Sequence, residues 1–260
     1  MIQTATKTLT FEEFAESKPE NGRYELHNGV IVEMSQPLGE HEEVISFLGS
    51  ELNAESRRLK LPYVFPKQAL VKNIENDCAY SPDILILNRP SLASELLWKK
   101  FSTVTQGASI PLVVEVVSTN WQDDYIKKVG EYELIGIPEY WIVDYLGLGG
   151  RRFIGNPKQP TLSIYRLVDG EYEVSQFRGD DRIESPTFPE LKLTAQQIFQ
   201  AGLLGKDTAL VAVRASALLS TITTNSIIDF SCNHPIFSLR IPEFSGSQSL
   251  FCPFYIRMFI

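Results

Sequence analysis

The 260-residue sequence holds only three cysteines, Cys78, Cys232 and Cys252, odd in number and widely spaced. That excludes a disulfide framework and a cysteine-based zinc site, and it points to a reducing compartment. No run approaches the eighteen or so uninterrupted apolar residues of a membrane span. The opening Met1-Ile2-Gln3-Thr4-Ala5-Thr6-Lys7 lacks the regions of a signal peptide. A cytoplasmic protein without membrane contact is therefore the expectation. No serine-centred nucleophile elbow occurs, and no cysteine pairs with a suitable histidine. Gly147-Leu148-Gly149-Gly150 lacks the strand-before, helix-after context of a nucleotide loop. Cations are also in deficit: 24 Lys and Arg face 32 Asp and Glu, a net charge of −8. Nucleic-acid binders are usually basic, because phosphate neutralisation supplies much of their affinity. Any basic surface here has to be local, at clusters such as Arg57-Arg58-Lys60, Lys67 with Lys72, Lys99-Lys100, Lys127-Lys128 and Arg151-Arg152.

What is present is an anomaly. Pro111-Leu112-Val113-Val114-Glu115-Val116-Val117 reads as a strand covered on both faces, with a carboxylate in its middle. An ionised group there costs several kcal/mol unless a cation or strong donors meet it. A second apolar run, Asp83-Ile84-Leu85-Ile86-Leu87, begins with another carboxylate. Two carboxylates on two buried strands suggest a shared cation, hence a metal site. Against this, Asp83 after Pro82 reads equally as a turn residue, and Glu115 as half of a buried ion pair. Paired carboxylates also serve glycoside hydrolysis, but no aromatic sugar platform accompanies them.

The pattern along the chain is that of an α/β protein. Thr10 caps a short helix with Glu13 at the capping-box position. Arg23 to Met34 reads as a hairpin turning at Asn28-Gly29, and Glu42 to Leu59 as an amphipathic helix facing inwards through Val44, Ile45, Leu48 and Leu52. Strands are expected at Tyr63 to Val71, Asp83 to Leu87, Leu112 to Val117 and Glu139 to Asp144, with a short helix around Leu92 to Lys99. A helix from Gln122 to Ile135, stopped by Gly136, joins the last two strands, which makes them a parallel pair with a right-handed crossover. On that helix Asp124, Lys128 and Tyr132 are spaced by four and share a face. For Asp124 and Lys128 the ordinary reading is a solvated surface pair, and for Tyr132 core packing. Further strands at Leu162 to Leu167 and Tyr172 to Phe177 flank an Asp169-Gly170 turn, and Thr194 caps a final helix. Residues 206–260 carry only seven charged residues, against 22% for the whole chain, and show no clear period. The expected organisation is a domain over 1–205 and an atypical extension over 206–260.

The stretch from Glu115 through Ser118, then Asp124, Lys128, Tyr132 and Gly136-Ile137-Pro138-Glu139-Tyr140-Trp141-Ile142-Val143-Asp144, resembles the bacterial putative restriction endonuclease family, a branch of the PD-(D/E)XK nuclease superfamily. Arg23-Tyr24-Glu25-Leu26-His27-Asn28-Gly29, Glu40-His41 and Pro82-Asp83 fit as well, and the resemblance covers roughly residues 7 to 202. It implies a restriction-endonuclease-like core, helix, three strands, helix, strand, built on a mixed sheet with an N-terminal hairpin and C-terminal strands. It implies a Mg²⁺-dependent endonuclease acting on DNA, with Mn²⁺ able to substitute, and by analogy a homodimer. Asp83 and Glu115 would hold the metal with the backbone carbonyl of Val116. Lys128 would be the catalytic cation, because the superfamily's usual lysine position is Val117 here. Glu25, His41, Asp124 and Tyr132 would support the site. The alternative is a nuclease fold that binds nucleic acid or a protein partner without cutting, which Val117 and the acidic balance favour.

Overall fold

The computed structural model describes residues 8–19 and 21–203, all within one compact unit spanning Met1–Ala212. The expected extension over 206–260 lies outside the described residues. Helix α1 (Phe11–Ser17) starts as the capping box requires: the Glu13 amide donates to the Thr10 hydroxyl, and the Glu13 carboxylate accepts from the Thr10 amide. The hairpin of β1 (Tyr24–His27) and β2 (Val30–Glu33) turns through Asn28 and Gly29 at φ 49° and 77°. Two successive positive φ values are what an Asn-Gly hairpin turn supplies. Helix α2 (Gly39–Arg58) begins three residues earlier than expected and buries Val44, Leu48 and Leu52.

The expected strand over Tyr63 to Val71 is in fact two, β3 (Tyr63–Val64) and β4 (Leu70–Asn73), which belong to different sheets. Pro66 lies between them and cannot donate to a ladder. A short strand with no counterpart in the sequence reading, β5 (Cys78–Tyr80), follows, then β6 (Ile84–Asn88). Instead of one helix around Leu92 to Lys99 the chain forms a 3₁₀ segment over Arg89–Ser94 and the single-turn α3 (Trp98–Phe101). Next come β7 (Thr103–Val104) and the fully buried β8 (Leu112–Val116). The crossover helix is π-helical over Asp123–Lys128 before continuing as α4 (Val129–Ile135), and Gly136 ends it at φ 79°. Strand β9 (Glu139–Asp144), one-turn α5 (Arg151–Ile154), β10 (Thr161–Val168), β11 (Glu171–Phe177) and α6 (Ala195–Ala201) complete the described fold, with Thr194 as the expected cap of α6.

The expected mixed α/β architecture results, with its strands in two mixed sheets. One has the order β2-β1-β5-β4-β7, the other β11-β10-β9-β8-β6-β3. Strands β8 and β9 are parallel, as the intervening helix predicts. Alternation along β8 divides the interior. Val114 and Val116 face α2 and α6, in a core with Leu48, Trp141 and Ile198. Val113 and Val117 face the other way, among Val71, Tyr80, Tyr132 and Tyr140. Glu115, between them in the alternation, shares the second face. On the hairpin Leu26 packs with Phe11 and Phe14, so Glu25 and His27 stand on the opposite face of β1. The two sheets therefore present Glu25 and Glu115 to one seam.

Gly107 is pressed against the end of α4: a Cβ there would lie 2.1 Å from the Gly136 carbonyl oxygen. Gly107→Ala should cost about 1–3 kcal/mol or more, as overpacking against rigid backbone does. Gly49, inside α2, has nothing nearer its Cβ position than the Ile84 Cδ1 at 3.8 Å. Gly49→Ala should stabilise by roughly 0.5–1 kcal/mol. Thermal melting of the two variants is expected to move in opposite directions.

Candidate active site

The seam between the sheets holds a buried ionic cluster. Lys128 Nζ lies 3.0 Å from Glu115 Oε1, 3.2 Å from Asp124 Oδ1 and 3.7 Å from Glu25 Oε1. Its side chain is 4% exposed, so the Asp124–Lys128 pair is not the solvated surface pair that four-residue spacing ordinarily means. Lys127, the next residue, turns outwards and pairs with Asp123. Behind the cluster, the Tyr132 hydroxyl donates to Glu115 Oε1 at 3.0 Å, and the Tyr140 hydroxyl donates to the Asp124 carbonyl at 3.1 Å. The π segment helps here. Four residues of α-helix overshoot a full turn by about 40°, and a wider turn keeps Asp124, Lys128 and Tyr132 closer to one line.

Asp83 joins from the strand beside. Ile84 pairs with Val114 across the β6–β8 ladder, so the next step outwards sets Asp83 opposite Glu115. Asp83 Oδ2 accepts the Val116 amide at 2.8 Å. Arg23 Nη2 stands 4.0 Å from Asp83 Oδ1 and donates to the Ser81 carbonyl at 3.2 Å. His41, in the first turn of α2, sets Nε2 2.8 Å from the Val116 carbonyl and 3.6 Å from Asp83 Oδ2. Its Nδ1 is buried and has no hydrogen-bond partner among the described residues. Glu25 accepts the Ser81 amide at 3.0 Å and pairs with His27 Nε2 at 2.8 Å. Glu25, His41, Asp83, Glu115, Asp124 and Lys128 all border one cavity of about 350 Å³, open to solvent along the 33–38 segment and Leu146.

The carboxylates respond differently to this setting. Burial raises Glu115 well above the usual carboxylate range; Lys128 opposes it, while Asp83, Asp124 and Glu25 add to it. Asp124 is pushed up to about 6, again first by burial, against the pull of Lys128. Glu25 goes the other way. Burial works to raise it, but Lys128, His27 and the Ser81 amide together outweigh burial and hold it below its ordinary value. Lys128 is raised well above its ordinary value, since Glu115, Glu25 and Asp124 overcome the opposing effect of burial. It is a fixed cation and cannot serve as a base.

All the residues singled out from the sequence meet at this place, Tyr132 as a buried brace rather than a cavity wall. Arg23 was not among them. Its signal was available, since the period of two along Arg23, Glu25 and His27 puts all three on one side of the hairpin. Gly147-Leu148-Gly149-Gly150 proves to be an anchored turn: Asp144 accepts the Leu148 and Gly149 amides at 2.8 and 2.7 Å.

The family profile described as Uma2, putative restriction endonuclease, matches residues 11–196. The chain belongs to that family. The fold is also similar to a crystal structure of a putative nuclease of the DUF820 group from Anabaena variabilis. The two share a TM-score of 0.58 and 18% identity over 75% of this chain and 99% of that one. No curated protein matches the chain. The site falls wholly within the described residues. Among these no helix is long and apolar enough to cross a membrane.

The shifted carboxyls set a pH dependence. Groups raised in the folded state bind more protons folded than unfolded, so the stability they confer is lost as pH rises through their folded pKa. Glu25, lowered, adds stability above its unfolded value and changes nothing at higher pH. Metal-free protein should therefore lose melting temperature as pH rises from about 4.5 through about 6, and Asp124→Asn should flatten the decline. Lys128→Met should cost about 3–5 kcal/mol at neutral pH, the usual result of leaving buried charges unpaired, and less at pH 5. Melts across this range check both.

Proposed function

We propose that this Uma2 protein is a divalent-metal-dependent endonuclease that hydrolyses phosphodiester bonds in DNA. One observation carries the reading: Asp83 and Glu115 face each other across adjacent strands, on the wall of a cavity, in a cluster with more carboxylates than cations. Glu25, Asp83, Glu115 and Asp124 are set against Lys128 and Arg23. A buried excess of negative charge is what a cation would relieve.

The donor set fits Mg²⁺. Asp83, Glu115 and the Val116 carbonyl are hard oxygen donors, and the carbonyl keeps a second lone pair beside the one His41 uses. Among the described residues no three His, Cys, Asp or Glu side chains converge as a ready metal cluster. Mg²⁺ is usually held by one or two carboxylates, with waters and substrate phosphates completing its shell. When bound, the ion would supply positive charge at a phosphoryl oxygen and a water of lowered pKa.

The chain's own groups divide the remaining work. Lys128, permanently protonated, is placed to donate to a phosphoryl oxygen or to orient a water, and to stabilise the charge that develops in the transition state. Asp124 and Glu25 keep its ammonium group at the cavity. His41 and Arg23 brace Asp83 and the Val116 peptide, and Tyr132 fixes the rotamer of Glu115.

The test pairs activity with binding. Wild-type protein should nick supercoiled plasmid DNA in Mg²⁺, and saturating Mn²⁺ at ~100 times its Kd should add about 2.7 kcal/mol of stability. Asp83→Asn and Glu115→Gln should abolish both effects while leaving metal-free stability unchanged or higher. Lys127→Ala should cut normally. Absence of any metal-dependent stabilisation in the wild type would favour the other reading, a nuclease fold that binds without cutting.

A further inference from the structure

A second cavity, of about 320 Å³, adjoins the first and shares Arg23 with it. Its walls come from the end of α1, the start of β1, the β4 approach and the end of α3. Lys18, Arg23 and Lys100 line it together with Gln68, Ser81 and Ser102, and no carboxylate is among its described lining residues. In a chain of net charge −8, three cations around one hollow is a local inversion of the overall balance. Among the described residues two of them have a carboxylate at hand: Arg23 stands 4.0 Å from Asp83 of the first cavity, and Lys100 pairs with Glu16 at 3.1 Å, both of whose side chains are more than 60% exposed. Such a pair is worth little and is readily exchanged for a stronger anion. Lys18 lies 5.9 Å over the Phe14 ring and is exposed. Lys100 stands in the last turn of α3, where a cation also complements the helix's terminal carbonyls. That accounts for one cation of the three.

Two residues apart in the chain, Asp83 lines the first cavity and Ser81 the second. On one side Asp83 belongs to the ionic cluster. On the other, Ser81 lines the basic hollow, and Arg23 spans the two, 3.2 Å from the Ser81 carbonyl and 4.0 Å from Asp83. A polyanion engaged at the acidic cavity and continuing past Arg23 would enter the basic one. The geometry points to the second cavity as a phosphate-binding subsite for the nucleic-acid strand that flanks the scissile bond. Lys18 and Lys100 grip a neighbouring phosphodiester there, Arg23 is the hinge between the two sites, and the hydroxyls and amide of Ser81, Ser102 and Gln68 supply donors. The assignment rests on the nuclease reading and adds to it a direction of approach: substrate is held on one side of the cut by charge, without base contacts.

The experiment uses the full chain, a fluorescently labelled oligonucleotide long enough to cross both cavities, and Ca²⁺ in place of Mg²⁺ for binding. Lys18→Ser, Lys100→Ser and the double variant are compared with Lys192→Ser, an exposed lysine outside both cavities. Each lost phosphate contact should lower the slope of log affinity against log salt by roughly 0.7–0.9, so the weakening between ~50 and ~200 mM salt shrinks about threefold per lysine removed. In Mg²⁺ the double variant should show a raised KM with kcat unchanged on the long substrate. On a dinucleotide that spans only the scissile bond it should equal wild type. Unchanged salt slopes, an equal effect from Lys192→Ser, or an equal loss on the dinucleotide would overturn the subsite while leaving the nuclease reading intact. So would the same slope change when polyglutamate replaces the oligonucleotide, since any polyanion would then dock. A wild-type chain that binds no oligonucleotide at all would overturn both.

Discussion

The structure depends on one buried ammonium group. Lys128 is held by Glu115, Asp124 and Glu25, which come from a strand of one sheet, the crossover helix and a strand of the other. Each carboxylate alone would be too costly to bury. Together with the lysine, and with hydroxyl and amide donors from Tyr132 and Ser81, they form a closed network anchored on a single cation. Such a network is a poor source of stability compared with apolar packing. It is, however, a strict one, because it closes only when hairpin, strand and helix occupy a single relative arrangement.

That arrangement leaves the cluster short of positive charge. A stable core would have no reason to place Asp83 beside Glu115 with Lys128 already fully engaged. Local rules are broken in this way at sites where something else is to be bound, and the surrounding packing has to offset the cost. The offset is visible on both sides. Val113, Val117, Tyr80 and Tyr140 enclose the cluster on its own face of the sheet, and Val114, Val116 and Trp141 anchor the same strands against α2 on the other. The net acidity of the chain is compatible with the proposed anionic substrate because charge is distributed at the scale of the two cavities rather than the whole molecule.

How far the sequence could be read depended on whether a signal was local. The capping boxes at Thr10 and Thr194, the Asn28-Gly29 turn and the parallel β8–helix–β9 unit each rest on residues close in the chain, and all are found. Glu115 stood out because a carboxylate in a run of valines demands a cation or strong donors, and the ion-pair reading open to it is met by Lys128 at 3.0 Å. The split of Tyr63 to Val71 was marked by Pro66, but assigning the two halves to different sheets requires partners far away in sequence. Strand β5, at three residues, is too short to show a period. Lys128 was ambiguous for a different reason: four-residue spacing looks the same on a solvated face as in a sealed one, and only the second sheet, laid over the helix, decides between them. The π segment leaves no mark in residue types at all, and the period of two that groups Arg23 with Glu25 and His27 shows a shared face without showing what lies opposite it.

The position of the site follows from where a ladder ends. Strands β6 and β8 pair from Ile86–Leu112 to Ile84–Val114 and no further. Beyond that point Pro82 has no amide to offer, so the groups of Val116 on this edge lose their backbone partners, while Val117 on the other edge still donates to the Val143 carbonyl. Side chains replace what the ladder no longer supplies. Asp83 accepts the Val116 amide, and His41 reaches the Val116 carbonyl from α2. A backbone peptide satisfied by an ionisable side chain at each end is pinned without being covered. The two strands can separate there, and the cavity opens in the gap. The same event that takes the ladder partners from Val116 therefore fixes Asp83 opposite Glu115 and sets both on the wall of the cavity. The carboxylate pair sits at the end of the shared ladder because there two adjacent strands bring acidic side chains together on the wall of a cavity, which is the room that the proposed cation and phosphate require.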